Sequence, residues 1–258
     1  MQPTNALIEL PRKGKALIVT DIHGDLTDFE KYMSIWNKFK VRKENHIILT
    51  GDYIHSMFTA EDNSIAILDS VMWHYKHTNN FHVLLGNHEW SHISGVAVYK
   101  SGINQKHEFE LLLKHKFGTE WEHQLSIYID FFKVLPLAVR TQNGVFISHA
   151  APVKKISGID DIIQLKELGY GLTNRNLFDL LWNRHQVDYN KKHIKDFLAK
   201  VGCKVSVVGH TPVDGYAVMG NQIVLSSSFG SGKKCYMELD LEKEIKKVDE
   251  VIKMIRYL

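Results

Sequence analysis

The chain has 258 residues, 44% hydrophobic and 24% charged, with a formal net charge of +3 when its 15 histidines are neutral. These are ordinary values for a soluble globular enzyme with a large core, compatible with one domain. No run of 18 apolar residues occurs, and the basic stretch Lys243 to Lys247 is broken by Glu244 and Ile245, so neither a membrane span nor a nucleic-acid-wrapping segment is expected.

No charged-then-apolar signal pattern precedes Leu17, which predicts a cytoplasmic protein. The two cysteines, Cys203 and Cys235, stand in apolar surroundings and read as buried small hydrophobes rather than a disulfide. Short β-branched runs predict strands over 15–20, 46–50 and 81–85, separated by helical patterns over 27–39 and 62–77. Strand, helix, strand implies parallel pairing at the start of the chain. Residues 90–133 read as a mostly helical insertion, with Phe109, Leu112, Leu113 and Phe117 on one stripe packed against the body. Further strands are expected over 137–141, 145–148, 204–208, 216–219, 223–226 and 235–240. Asn143-Gly144 and Gly220-Asn221 have the chemistry of tight hairpin turns. Ile245, Val248, Val251, Ile252 and Ile255 recur at helical spacing and predict a closing amphipathic helix over 242–255. The whole is α/β, and residues 1–258 form one unit with no visible linker or repeat.

Where these strands stop, polar residues begin. Asp21-Ile22-His23-Gly24-Asp25 follows the first strand, Gly51-Asp52 the second and Gly86-Asn87-His88-Glu89 the third. Ser148-His149-Ala150 and Gly209-His210-Thr211-Pro212 end two later ones. Residues two apart on an extended chain point the same way, so Asp21 and His23 face one point above the strand end, where open α/β sheets bind ligands. A helix-capping role explains one such motif and explains five poorly. Asp, His and Asn without a thiolate suit Mn²⁺, Fe or Zn²⁺, with Mn²⁺ preferred. Six ligands exceed one tetrahedral ion and fit two ions sharing a carboxylate, a pair able to bind a phosphoryl oxygen and activate a bridging water.

The order and spelling of these motifs resemble the calcineurin-like metallophosphoesterase superfamily, and within it the phosphoprotein phosphatase family of Ser/Thr phosphatases and its bacterial relatives. The resemblance runs from about residue 15 to 240. It is supported by Phe132-Lys133-Val134-Leu135-Pro136-Leu137, Asp179-Leu180-Leu181-Trp182 and Asp214-Gly215-Tyr216. It implies two mixed β-sheets sandwiched between helices in four layers. It implies that Asp21 and His23 bind one metal, that Asp52 bridges, and that Asn87, His149 and His210 bind the second. His88 would protonate the leaving oxygen, while Arg184 and Asn87 would hold phosphate oxygens. The implied partner is a phosphorylated protein or small molecule.

The second motif departs from the family. Where relatives continue Gly-Asp-x-Val-Asp-Arg-Gly, this chain reads Gly51-Asp52-Tyr53-Ile54-His55-Ser56-Met57. The Asp that orients the catalytic His is His55, and the phosphate-gripping Arg is Ser56. His55 is expected behind the site or at the surface, with an added metal or phosphate contact as the alternative. Pro212 stands where many phosphodiesterases carry a further ligand His. The resulting expectation is a phosphomonoesterase. The alternatives are a hydrolase of dinucleoside polyphosphates or diesters, and a metal-binding module without catalysis. His74, His77, His107, His115 and His123 are expected to be ordinary helix positions.

Overall fold

The computed structural model describes residues 5–56 and 61–258; Met57, the last residue of the departing motif, lies outside the described residues. The first half runs β1 (Leu7–Leu10), β2 (Lys15–Val19), α1 (Leu26–Phe39), β3 (His46–Leu49), α2 (Ser64–His77), β4 (Phe81–Val83) and α3 (Asn87–Ser94). It continues with β5 (Tyr99–Lys100), β6 (Ile103–Asn104), α4 (Gln105–Phe117) and α5 (Trp121–Val134). The second half runs β7 (Ala138–Thr141), β8 (Val145–Ser148), α6 (Ile159–Ile163), α7 (Arg175–Trp182), α8 (Lys191–Lys200), β9 (Val205–Val208), β10 (Tyr216–Met219) and β11 (Gln222–Leu225). It ends with β12 (Cys235–Asp240), α9 (Val248–Ile252) and β13 (Ile255–Tyr257).

Two large mixed sheets result, ordered β1-β7-β8-β9-β11-β10 and β13-β12-β2-β3-β4. The strand β2 shows why they stack. Its alternate residues Ala16 and Ile18 enter a core shared with Val139, Ile147, Val207 and Ile223 of the other sheet. Leu17 and Val19 face the opposite way, into a core with Phe29 and Trp36 of α1. A strand covered on both faces has no polar side, so Lys15–Val19 reads as a continuous apolar run after its first residue. The expected helix–sheet–sheet–helix layering is therefore what forms.

The pairing β2–β3–β4 is parallel, as the alternation of strands and helices predicts. Both hairpins form at the expected turns, β7–β8 at Asn143-Gly144 and β10–β11 at Gly220-Asn221. Cys203 and Cys235 are buried and unbridged. His74, His77, His107, His115 and His123 all lie on α2, α4 or α5. Among the described residues, no helix is long and apolar enough to cross a membrane.

Two expectations change, and one strand is added. The closing helix over 242–255 is replaced by the short α9 and the edge strand β13, which pairs antiparallel with β12 through Cys235↔Tyr257 and Met237↔Ile255. Ile245, Val251 and Ile255 do bury as a set, in the core between the sheets. Spacing identified what buries, and the open edge of β12 decided the backbone conformation. A two-residue hairpin, β5–β6, interrupts the helical insertion, because Ser101 (φ 49°) and Gly102 (φ 81°) reverse the chain. The strand β1, which pairs parallel with β7, carries no turn signal that distinguishes it in the sequence.

Candidate metal centre

The chemistry-bearing residues gather where the C-terminal ends of the two sheets meet. Asp21 and His23 follow β2, Asp52 follows β3, and Asn87 and His88 open α3 after β4. His149 follows β8 and His210 follows β9 in the other sheet. The loops interlock: Ile22 and His23 N–H both donate to the Asp52 carbonyl at 2.9 Å, and Gly209 N–H donates to the His149 carbonyl at 2.9 Å. His23, Asp52, His55 and His210 all hold positive φ, between 48° and 69°. Such backbone strain on non-glycine residues is typical of a site that the surrounding fold over-determines.

Glycines in two motifs are required for space. A Cβ on Gly209 would lie 2.1 Å from Asp21 Oδ2, and one on Gly86 would lie 2.3 Å from Asp52 Oδ1. These residues let the carboxylates of one loop sit directly on the backbone of another.

Asp52 Oδ2 is the hub. It lies 3.4 Å from His149 Nε2, 3.7 Å from His23 Nε2 and 3.9 Å from His88 Nε2. Three of the surrounding rings have their far nitrogen on a backbone carbonyl. His23 Nδ1 donates to Ile54 O at 3.3 Å, His149 Nδ1 to Thr50 O at 3.2 Å, and His210 Nε2 to Trp182 O at 3.1 Å. A carbonyl only accepts, so the proton of each neutral ring sits on that far nitrogen and a bare lone pair faces the site. Burial pushes all three imidazoles below their ordinary range, which keeps them neutral. Asn87 Oδ1 is 2.8 Å from His149 Nε2, which in turn is 3.2 Å from His210 Nδ1. Acceptors thus face acceptors, an arrangement that a cation between them relieves.

The carboxylates lead to the same conclusion. Burial pushes Asp52 well up, and the negative charges of Glu89 and Asp21 push it further. Burial raises Asp21 and Glu89 as well. Glu89 is fully enclosed and accepts from Asp52 N–H at 2.9 Å, Tyr53 N–H at 2.8 Å and Gly86 N–H at 3.2 Å, so it clamps the Asp52 turn to α3. Desolvated anions of one sign, ringed by neutral lone pairs, fit divalent cations. His23, Asp52 and His88 form one group whose ligand atoms could hold an ion; Asp52, His149 and His210 form another that shares Asp52. Asp21 is placed differently from the other expected ligands, since both of its oxygens accept from His210 N–H at 3.0 Å.

His88 differs from the three carbonyl-backed rings. Its Nδ1 meets His55 Nδ1 at 2.7 Å, and His55 Nε2 meets His92 Nε2 at 3.0 Å. The three rings run inward from the site, all buried, to the edge of Phe109. His55 is therefore not at the surface; it stands behind His88. The sequence gives no sign that His92 completes the row, one helical turn beyond His88 on α3. Its Nδ1 is buried with no hydrogen-bond partner among the described residues.

Arg184 is exposed just beyond α7, and its positive charge lowers the proton affinity of Asp21, Asp52, His149 and His210. A cleft opens beside the cluster, walled by Asp21, His23, His210, Thr211, Ser228, Phe229 and Lys100. Lys100, from the β5–β6 hairpin, is a residue that the motifs do not reveal.

Residues 14–214 match the calcineurin-like phosphoesterase family. A probable serine/threonine-protein phosphatase of Encephalitozoon cuniculi is 26% identical over 230 residues, covering 82% of this chain and 46% of that protein. A serine/threonine-protein phosphatase of Caenorhabditis elegans is 22% identical over 221 residues, covering 79% of this chain and 44% of its own length. The chain thus spans less than half the length of these two relatives. Among solved structures, a protein serine/threonine phosphatase from Saccharomyces cerevisiae superimposes with a TM-score of 0.69 at 18% identity, covering 91% of this chain and 76% of that one. A cold-active protein-tyrosine phosphatase of Shewanella gives 0.65 at 16% identity, covering 98% and 83%. At these identities the superpositions establish the fold. With its motifs gathered at the ends of two stacked sheets and a family match over most of its length, this chain belongs to the calcineurin-like phosphoesterases, a family of phosphoester hydrolases.

Proposed function

We propose that the chain is a two-metal phosphomonoesterase of the Ser/Thr protein phosphatase type. The observation that carries this reading is the convergence of side-chain nitrogens and oxygens from four other loops around the Asp52 carboxylate. Asp21, His23 and Asp52 would hold one ion, and Asp52, Asn87, His149 and His210 the other. Mn²⁺ is the proposed metal, with Fe or Zn²⁺ also compatible with the donors. Two divalent ions held there would supply Lewis acidity to a phosphoryl oxygen and to a water.

The chain's own residues do the rest. The carbonyls of Ile54, Thr50 and Trp182 fix the ring orientation of His23, His149 and His210. Asn87 and Arg184 orient the phosphoryl oxygens, Arg184 through a guanidinium suited to two of them at once. His88 Nε2 faces Asp52 and delivers a proton to the departing oxygen. A second reading, hydrolysis of phosphoanhydrides or diesters, is favoured by one feature. His88 is backed by the imidazole of His55 and lacks a carboxylate partner there, and a weakly basic leaving group needs less proton assistance.

The test is a side-by-side assay of the metal-loaded protein on a phosphopeptide, p-nitrophenyl phosphate, bis-p-nitrophenyl phosphate and diadenosine tetraphosphate. Turnover of the monoesters above the others supports the proposal. Preference for the diester or the anhydride selects the second reading. Two bound metals with no turnover on any of them would leave a metal-binding module and overturn both.

A further inference from the structure

The second motif carries Ser56 where the resemblance calls for a phosphate-gripping arginine. The fold supplies a cation to the same site from another direction. β5 and β6 form a two-residue hairpin between α3 and α4, and Lys100 is its last residue before the Ser101-Gly102 turn. The base of the hairpin is fixed. Gln105 N–H donates to the Val98 carbonyl at 2.9 Å, both residues are buried, and Asn104 caps α4 by accepting from His107 N–H. Because α3 begins with Asn87 and His88, the hairpin is tied through one short helix to the proposed metal site. Its neighbour Tyr99 faces solvent, while Lys100 is half-buried and lines the cleft with Asp21, His23 and His210.

We propose that Lys100 is a substrate-binding residue that selects a dianionic terminal phosphoryl group in this cleft. This rests on the phosphoesterase reading of the same site. Burial and then the charge of Arg184 push the Lys100 ammonium below its ordinary value, and the Lys100 charge in turn disfavours protonation of His23. The two cations come from separate elements and repel each other. An anion between them reverses the sign of that interaction. A phosphomonoester presents two negative charges and three free oxygens, whereas a diester presents one charge and two. A lysine charge lining this cleft therefore favours the monoester over the diester.

The experiment compares wild type with Lys100→Met, which keeps the stem and removes the charge, and with Lys100→Arg, all as full chains loaded with Mn²⁺. Metal content and thermal midpoint establish that each variant is folded and loaded. Calorimetry with inorganic phosphate and the KM for p-nitrophenyl phosphate are the readouts, with bis-p-nitrophenyl phosphate as the monoanionic comparison. Lys100→Met is expected to weaken phosphate binding and raise the monoester KM by about 10-fold, the scale of one lost charge-assisted contact. The diester KM should move less than about threefold, and Lys100→Arg should recover most of the loss. Phosphate affinity equal to wild type in Lys100→Met overturns the proposal, as does an equal loss on monoester and diester. Failure of the phosphoesterase reading looks different: wild type would turn over neither ester, while phosphate calorimetry would still report on Lys100.

Discussion

The rings of His55 and His88 meet Nδ1 to Nδ1 at 2.7 Å, enclosed by protein on every side. Burial, and then the neighbouring rings of His92 and His23, hold His55 well below its ordinary range, so it stays neutral. Two neutral imidazoles share one proton across such a contact, which fixes the plane of His88 without placing a negative charge behind it. His55→Ala should lower kcat on alkyl phosphates by about 10- to 100-fold, less than the roughly 100- to 10,000-fold of losing an acid–base group outright, with metal content unchanged. His55→Asp should recover activity relative to His55→Ala. The measurement is kcat over a series of leaving groups, together with elemental analysis. Wild-type turnover in His55→Ala would remove this positioning role.

Metal removal has a predictable sign. At about 100 times their dissociation constant, ions that bind only the native state add roughly 3 kcal/mol per site. Chelation should therefore lower the unfolding midpoint. Asp52→Asn should abolish the response to added metal. In chelator it should be at least as stable as wild type, because burial and the charges of Glu89 and Asp21 make a charged Asp52 costly there. A variant less stable than wild type in chelator would contradict this account.

A cavity wall depends on the partly buried ion pair of Asp28 with Lys234. Asp28 of α1, 1% exposed, accepts from Ser228 Oγ at 2.7 Å and from the Lys234 ammonium, pinning the segment that carries Ser228 and Phe229 beside the cleft. Burial alone would raise the Asp28 carboxyl, but the hydrogen bonds from Lys234 and Ser228 and the charge of Lys234 outweigh it, leaving it below its ordinary value. The contribution to stability is thus complete above about pH 4 and is lost as the pH falls through the depressed native value. Asp28→Asn should cost about 2 kcal/mol at pH 7, trimmed because Lys234 is partly solvated, and progressively less below pH 4. Urea denaturation at pH 7 and pH 3 measures both values. An equal loss at the two pH values would assign the effect to packing instead.

Gly209→Ala is a steric test of the cage. The added methyl would sit on Asp21 Oδ2 and 2.8 Å from Thr20 Cβ, neither of which can retreat without moving β2. Metal affinity should fall at least about 10-fold while the far hairpin turns at Gly144 and Gly220 stay intact, as seen by metal titration and amide exchange. Unchanged affinity would show that Asp21 does not contribute to the cage.

That the expected ligands gather in one place was legible because each follows an apolar run at a strand terminus, and parallel strands bring their C-terminal ends together whatever the loops do. The carbonyls that fix the rings were not legible. Thr50, Ile54 and Trp182 act through atoms that every residue possesses, so no side chain marks them. His92 and Lys100 escaped for another reason. Each lies far in sequence from its partner, and a histidine on a helix or a lysine in a hairpin has the same spelling when it faces solvent. The C-terminal misreading is instructive in the same way. Ile245, Val251 and Ile255 were rightly marked for burial, but apolar spacing is silent about whether a neighbouring strand offers an open edge.

The division of the proposed ligands between two sheets bears on how the cage is assembled. Asp21, Asp52 and Asn87 leave the ribosome early, from a unit that can begin pairing as β2, β3 and β4. His149 and His210 follow more than sixty and one hundred and twenty residues after Asn87. A nascent chain at the midpoint of synthesis therefore owns one wall of the cage and cannot close it. Completion of the proposed cage becomes a late event, coincident with docking of the second sheet.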